Sequence, residues 1–132
     1  MIEVAITEHF DDIDAPSWNA LVGEGSPFLE HAWMAALDRT GCINPTEGWL
    51  GQTVTAWMNK ELVGAIPLYL KGNSRGEFVY DWSWANLANQ LGVAYYPKLI
   101  AAVPFTPVTG RRILLHDDLN EVDQAKVTDL LV

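Results

Sequence analysis

The residues best suited to chemistry lie in the stretch from Gly76 to Arg112. Tyr95, Tyr96 and Lys98 stand just before an apolar run, where they can supply a general acid or hydrogen-bond a substrate. Asp81 has the chemistry of a general base, but its place before a helical pattern fits an N-cap equally well. The sequence therefore predicts polar side chains at one end of a strand, with a structural role open for each.

A proline-rich turn from 104 to 110 places further polar groups beside the same predicted strand. Thr106 and Thr109 offer hydroxyls, and Gly110 permits close approach of a ligand to the backbone. Either Arg111 or Arg112 can bind a phosphate or a carboxylate through two parallel hydrogen bonds. Taken together, these groups indicate a binding site better than any one of them does alone.

Common catalytic and metal-binding motifs are absent from the sequence. There is no phosphate loop and no nucleophile elbow, and the three histidines lack metal-ligand spacing. The run His116-Asp117-Asp118 resembles an acid–base group, but adjacent residues point in different directions, which favours a solvated turn. Cys42 is the only cysteine, so an internal disulfide and a cysteine zinc site are excluded.

The charge of the chain is unevenly distributed. The formal net charge is −9, which argues against nonspecific binding to nucleic acid or to an anionic membrane. From Trp82 to His116, however, there is no Asp or Glu, whereas Lys98, Arg111 and Arg112 are basic. This stretch suits an anionic ligand, or else it is a buried part of a sheet that excludes charge.

Composition and the N-terminal sequence restrict the class of protein. With 132 residues, 49% of them hydrophobic, the chain has the size and composition of one folded domain. The start, MIEVAITEHFDD, lacks the features of a signal peptide, and no apolar run is long enough to span a membrane. We expect a soluble cytoplasmic protein.

The first half of the chain predicts a strand, two helices and a hairpin. Ile2–Ile6 reads as a strand, and a short helix capped by Asp14 ends before Gly23. A second helix starts at Ser26-Pro27 and ends at Gly41, with its apolar stripe at Phe28, Leu29, Ala32, Trp33, Ala36 and Leu37. The strands Thr53–Met58 and Leu62–Leu70 form an antiparallel hairpin, in which Pro67 indicates an edge or a bulge.

The second half predicts a strand at Phe78–Tyr80 and then a helix from Asp81 to Gly92. The helix buries Trp84, Leu87, Ala88 and Leu91, which leaves Trp82 on the polar side in need of another partner. The apolar run Lys98–Val103 predicts a strand covered on both faces.

The predicted elements end with a strand at Ile113–Leu115 and a last helix capped by Asn120 or Asp117. That helix runs to an apolar end at Leu130, Leu131 and Val132, which suggests the front part of a longer protein.

Three segments resemble the N-terminal part of the FemAB-like, predicted N-acyltransferase family. They are SPFLEHAWMAALDRTG, ELVGAIPLYLKGNSRGEFVYDWSWAN and YYPKLIAAVPFTPVTGRR. The resemblance implies an α+β fold of the acetyltransferase (GNAT) type, with a mixed, largely antiparallel sheet flanked by helices. It also implies that residues 1–132 form a single N-terminal half domain of a longer, two-half protein. Gly51 and Arg111 stand where that family carries proline, and the acyl-CoA pyrophosphate motif is absent.

The resemblance implies the N-terminal part of an acyl- or aminoacyl-transferase that acts on an amine and is inactive alone. The implied acceptor site comprises Trp82, Tyr96, Lys98, Thr106, Thr109 and Arg111. No metal or cofactor is expected within the chain, and the full-length protein would use an acyl-CoA or aminoacyl donor. The expected partners are an amine-bearing cell-wall precursor and either the missing C-terminal half or a second copy. The alternative is a noncatalytic binding domain on the same scaffold.

Overall fold

The computed structural model describes residues 1–78 and 80–132 and shows an α+β fold, as predicted. The strands are β1 Ile2–Thr7, β2 Trp49–Gly51, β3 Thr53–Met58, β4 Glu61–Ile66, β5 Leu68–Lys71, β6 Lys98–Ala101 and β7 Leu114–Leu115. The α-helices are α1 Ala15–Val22, α2 His31–Arg39, α3 Trp82–Gln90 and α4 Glu121–Leu131. Short 3-10 turns lie at Phe10–Asp12, Pro27–Leu29 and Pro45–Glu47.

One long hairpin carries both sheets of the fold. Its turn has positive φ at Asn59 (52°) and Lys60 (67°), as in the tight turns whose twist matches that of paired strands. Pairing is interrupted opposite Pro67, which has no N–H to donate, and resumes at the same register beyond it. The predicted hairpin is confirmed, and Pro67 divides it between two sheets.

The four-stranded sheet has the antiparallel order β1-β3-β4-β7 and a helix on each face. Ala65 belongs to the core cluster that contains α1, whereas its neighbour Ile66 belongs to the cluster that contains α4. Adjacent strand residues point to opposite faces, so the sheet separates the two helices. Asp14 and Asn120 cap α1 and α4 as predicted, and each side chain accepts from a backbone N–H three residues on.

The three-stranded sheet has the order β2-β5-β6 and supports the candidate site. One face contributes Trp49, Tyr69 and Ile100 to the core around α1 and α2. The prediction that Lys98–Val103 is covered on both faces is wrong, because β6 is an edge strand whose Leu99 is 57% exposed. Apolar content alone did not distinguish this edge from a central strand.

The second predicted helix is interrupted. Pro27–Leu29 is a 3-10 turn, and Glu30 is extended (φ −57°, ψ 145°) before α2 begins. The Trp18 indole donates to the Leu29 carbonyl at 2.7 Å, and the Asn19 side chain accepts from the His31 amide at 2.9 Å. These long-range bonds fix the break, so the predicted stripe is wrong at Ala32, Trp33 and Ala36, and α2 buries His31, Met34, Ala35 and Leu37 instead.

Helix α3 lies where it was predicted, but its predicted buried face is wrong. Trp84, Leu87 and Leu91 are exposed, and none of the α3 residues, all of which the structure describes, is buried. The structure also exposes Trp82, which was expected to need a separate partner. The strand predicted at Phe78–Tyr80 includes Val79, which lies outside the described residues.

Helix α4 depends on a glycine in β4. A Cβ built at Gly64 would lie 2.5 Å from Val127 Cγ1 and 3.3 Å from Leu131 Cδ1. Leu131, expected to be part of an exposed apolar end, is only 4% exposed because it packs here, whereas Leu130 and Val132 are exposed.

We predict that Gly64→Ala lowers the free energy of unfolding by about 1–3 kcal/mol, since the methyl group forces α4 away from the sheet. Denaturant unfolding measures the effect. Gly72→Ala is the control, because the nearest atom to its new Cβ would be 3.9 Å away. Equal stability of the two variants would show that α4 adapts without cost.

Candidate functional site: a cleft beside a buried ion-pair cluster

A cleft of about 330 Å³ lies beside β6 and the turn that follows it. One part of its lining is apolar and the other is polar. The lining residues are Trp49, Gly76, Glu77, Phe78, Asp81, Ile100, Ala101, Ala102, Val103, Thr106, Pro107, Val108, Thr109 and Arg112. An apolar cleft with a few polar groups is the usual form of a small-molecule site.

Lys98 organises the polar wall from the first position of β6. Its ammonium donates to Glu77 Oε1 at 2.8 Å, to Ser74 Oγ at 3.1 Å and to Asp81 Oδ2. An ammonium has three N–H donors, so all of them are used by the protein itself. Burial alone would lower the pKa of Lys98, but the hydrogen bonds to Asp81 and Glu77 outweigh it and raise that pKa. Lys98 is therefore a stable cation that positions the two carboxylates.

Asp81 was expected to cap α3 or to act as a base. Among the described residues its side chain makes no capping bond; Oδ2 instead accepts from Lys98 and from the Tyr95 hydroxyl, the latter at 2.6 Å. Burial would raise the pKa of Asp81, but these bonds outweigh burial and lower the pKa to about 2. A carboxylate with so low a pKa is a weak base and a good partner for a cation.

Lys71 is a second, fully buried lysine that contacts the same polar wall of the cleft. Its side chain is 0% exposed, and Nζ donates to the Arg75 carbonyl at 2.7 Å and lies 3.7 Å from the centre of the Trp49 ring. Glu77 Oε2 is 4.0 Å from this nitrogen. Burial lowers the pKa of Lys71 to about 8, and the charge of Glu77 only partly offsets it. Lys71 thus links the Trp49 ring, which lines the cleft, to the backbone at Arg75, two residues before Glu77.

Both carboxylates keep acceptor capacity. Glu77 Oε2 and Asp81 Oδ1 are buried and have no hydrogen-bond partner within the part of the chain that the structure describes. Buried polar atoms without partners are uncommon and costly. Glu77 and Asp81 also line the cleft, so unused acceptor capacity lies in its wall.

The structure brings some of the sequence-predicted site residues together. Thr106 and Thr109 line the cleft, and Lys98 holds its carboxylates. The Tyr96 hydroxyl is hydrogen-bonded to Ser74, which also accepts from Lys98. Thr106 and Thr109 therefore line the cleft directly, whereas Lys98 and Tyr96 are linked to its wall through Glu77, Asp81 and Ser74. The role of all four in substrate binding stays a prediction.

Within the described residues, Trp82 and Arg111, the other two predicted site residues, neither line the cleft nor hydrogen-bond through their side chains to a residue that lines it. Trp82 is exposed at the start of α3, directly after Asp81. Arg111 donates to the carbonyls of Leu21 and Val22 at 3.4 and 3.0 Å, at the end of α1. Its neighbour Arg112 lines the cleft and donates to the Val108 carbonyl at 2.9 Å.

Sequence reasoning missed Glu77, Lys71, Ser74 and Trp49. Lys71 and Ser74 both lie within KGNSR (71–75), which reads as an ordinary polar loop, and Glu77 belongs to no motif. The only signal was indirect: Glu77 and Asp81 are the last acids before the acid-free stretch that contains Lys98. Acids that directly precede an acid-free stretch are candidates to form a buried ion pair with a base inside that stretch, here Lys98.

A second, more open groove of about 600 Å³ includes His116 and Asp118. Asp118 is 93% exposed, and its Oδ2 lies 3.7 Å from His116 Nδ1, consistent with the expected solvated turn. The described residues contain no cluster of three or more His, Cys, Asp or Glu that could hold a metal ion. The first cleft is the stronger candidate because it contains the buried charges.

The fold and the cleft define an α+β protein with a cleft beside a buried ion-pair cluster. A family model described as FemAB-like, peptidoglycan biosynthesis/recognition, matches residues 9–132. The chain belongs to the FemAB-like family, which confirms the resemblance seen in the sequence. Its role is therefore related to peptidoglycan, the polymer of the bacterial cell wall.

Comparison with curated proteins and with solved structures found no match. In the part of the chain that the structure describes, no helix combines the length and the apolar character required to cross a membrane.

We predict that the lowered pKa of Lys71 makes stability depend on pH. The folded protein releases this proton near pH 8, whereas the unfolded chain keeps it until about pH 10.5. The free energy of unfolding therefore rises as pH increases from 8 towards 10.5. Lys71→Met should remove this rise, as measured by denaturant unfolding across that range.

The matched control for Lys71→Met is Lys126→Met, which removes an exposed lysine paired with Asp123 at 3.6 Å. It should keep the pH dependence of the wild type. If the free energy of unfolding rose equally with pH in Lys71→Met and in the wild type, the rise would not be due to Lys71.

We predict that Arg111→Ala destabilises the fold by about 1 kcal/mol, because α1 loses hydrogen bonds to its last carbonyls. Thermal unfolding measures the loss. Arg112→Ala should be nearer the wild type in stability, since its bonds are local, to residues 108, 110 and 111. A larger loss of stability in Arg112→Ala than in Arg111→Ala would contradict this interpretation.

Proposed function

We propose that the protein supplies the acceptor side of an acyl- or aminoacyl-transferase on a GNAT-like scaffold, as its N-terminal half. The acceptor is an amine of a cell-wall precursor, and it enters the cleft lined by Glu77 and Asp81. The observation that carries this proposal is the pair of buried carboxylate oxygens, Glu77 Oε2 and Asp81 Oδ1, that lack hydrogen-bond partners in the described structure. Both side chains line a cleft whose remaining wall is largely apolar.

An alkylammonium group fits this chemistry. On this proposal the two carboxylates turn towards the cleft, so that the N–H donors of the ammonium pair with Glu77 Oε2 and Asp81 Oδ1, and its carbon chain packs on Ile100, Val103 and Val108. Thr106 and Thr109 offer hydroxyls to the peptide part of the acceptor, and Arg112 offers a cation to a carboxylate.

The groups of the cleft position the amine and leave its deprotonation to another base. In the transfer, the amine nitrogen forms a bond to the acyl carbon, the leaving group departs with its electron pair, and the amine loses a proton. Asp81 (pKa about 2) is a weak base, and the pKa of Lys98 is raised. Alignment of donor and amine is the larger contribution expected from such a site.

A noncatalytic recognition domain is the second candidate. It is favoured by the same ion pairs, because carboxylates held by Lys98 suit binding better than proton transfer. Both candidate functions require the cleft to bind an amine, and they differ only in whether that amine is then converted to an amide.

We predict that an amine-bearing peptidoglycan stem peptide binds in calorimetric titration, and that the same peptide with its amine acetylated does not. Glu77→Gln removes one charge from the wall and should weaken binding by about tenfold or more, the effect of losing one charge-assisted hydrogen bond. Asp118→Asn, the same kind of change at an exposed carboxylate, should leave the affinity unchanged. Equal affinity for the free and acetylated peptides would refute the proposal.

Mass spectrometry of the full-length protein with this peptide and an acyl-CoA or aminoacyl donor separates the two candidates. A peptide heavier by one acyl or aminoacyl group supports transfer. Binding with an unchanged peptide mass under every donor supports the recognition domain.

A further inference from the structure

Among the described residues that line the cleft, Arg112 is the only basic one. Its guanidinium donates to the carbonyls of Val108, Gly110 and Arg111 at 2.9, 3.2 and 3.4 Å. A guanidinium has five N–H donors, so at least two of them have no acceptor in the part of the chain that the structure describes. None of the ion pairs among the described residues includes Arg112. The cleft therefore contains a positive charge that these residues leave without a counter-ion.

The turn that carries Arg112 adds hydroxyl groups beside it. Thr106 and Thr109 belong to the same turn and line the same cleft. The Thr106 hydroxyl accepts from the Val108 amide at 3.3 Å, so its own hydrogen remains available to a ligand. A carboxylate accepts several hydrogen bonds at once, and those from charged donors are the strongest. A guanidinium with two hydroxyls nearby is therefore a suitable donor set for a carboxylate.

The same cleft also has a negative side. Glu77 and Asp81 line it, and each has a buried oxygen without a hydrogen-bond partner among the described residues. Lys98, which donates to both acids, has no N–H group left for a ligand. A ligand with only an amine would leave Arg112 without an anion, and one with only an anion would leave both carboxylates without a donor. The lining therefore matches a ligand that carries charges of both signs.

The balance of charge in the lining indicates which anion Arg112 receives. A phosphate group carries a charge of about −1.5 to −2 at neutral pH, and the two acids of the same cleft would repel it. A carboxylate carries a single charge, and its two oxygens match the planar fork of a guanidinium. Two acids and one base therefore favour a carboxylate over a phosphate or a pyrophosphate.

The size of the cleft limits the distance between the two charges of the ligand. Its volume of about 330 Å³ is at the lower end of small-molecule sites, which run from about 300 to 1,000 Å³. A sphere of this volume is about 9 Å across, and a hydrogen bond takes up about 3 Å at each end of the ligand. An amine and a carboxylate on one carbon fit such a space, whereas a whole peptide does not.

We propose that the acceptor side chain in the cleft ends in an amine and a carboxylate on the same carbon, with the amine at Glu77 and Asp81 and the carboxylate at Arg112. This inference rests on the proposed function, which supplies the amine, and it adds the group next to that amine. The side chain of diaminopimelic acid ends in this way, whereas that of lysine ends in an amine alone. Arg112 therefore determines which of these two acceptors is preferred.

Two small probes test the proposal by calorimetric titration of the 132-residue chain. One is Nα-acetyl-lysine amide, and the other is the corresponding acetyl amide of diaminopimelic acid, in which only the distal amine and carboxylate are free. The second probe should bind more tightly by about tenfold or more, the effect of one charge-assisted pair. With Arg112→Gln the two probes should bind with equal affinity.

The variant Arg112→Gln should remain folded, because the bonds of Arg112 are local, to residues 108, 110 and 111, and circular dichroism verifies this. Arg39→Gln is the matched control. It removes an exposed arginine that pairs with Asp11 and lies outside the cleft lining, so it should keep the preference of the wild type.

The outcomes separate this inference from the proposed function. Equal affinity of the wild type for both probes, or a preference that survives in Arg112→Gln, would overturn the inference and leave amine binding intact. A wild-type chain that binds neither probe would also overturn it. The comparison of free and acetylated stem peptides tests the proposed function independently of these results.

Discussion

The interruption of one hairpin at Pro67 is the constraint on which the rest of the structure depends. Proline cannot donate a ladder hydrogen bond, so the pairing stops there, yet the register continues unchanged beyond it. The inner part of the hairpin builds the four-stranded sheet between α1 and α4, and the outer part builds the sheet that ends at β6. Lys71 and Lys98 are paired across β5 and β6, which brings both cations to the same wall of the cleft.

Buried charge gives that wall its organisation. Two lysines and two carboxylates with little or no exposure balance each other, which limits the cost of removing them from water. All three N–H groups of Lys98 donate hydrogen bonds within the cluster, whereas one oxygen of each carboxylate accepts none. The cluster therefore has unused capacity for a cation or a hydrogen-bond donor.

Local patterns predicted much of the fold, and long-range contacts account for the failures. The α+β class, the hairpin and the caps by Asp14 and Asn120 could be read from turn and capping residues. The helical stripe of α3 could be read from periodicity, but the burial predicted for it is wrong, because periodicity does not say whether the chain itself covers that face. Asp81 stands at the N-cap position of α3, but its carboxylate binds Lys98, seventeen residues away in sequence, instead of capping the helix. Lys71 could not be found in advance and Glu77 only indirectly, from its place before the acid-free stretch, since their roles exist only after β5 and β6 pair.

The state of the two lysines beside the cleft has a consequence for chemical selectivity. An activated acyl group acylates any accessible amine that has a free lone pair. Lys71 has the lower pKa of the two, but its side chain is fully covered, and Lys98 has a raised pKa and no idle N–H. Neither lysine beside the cleft therefore offers an accessible free amine, so this wall resists modification by reactive acyl compounds in its surroundings.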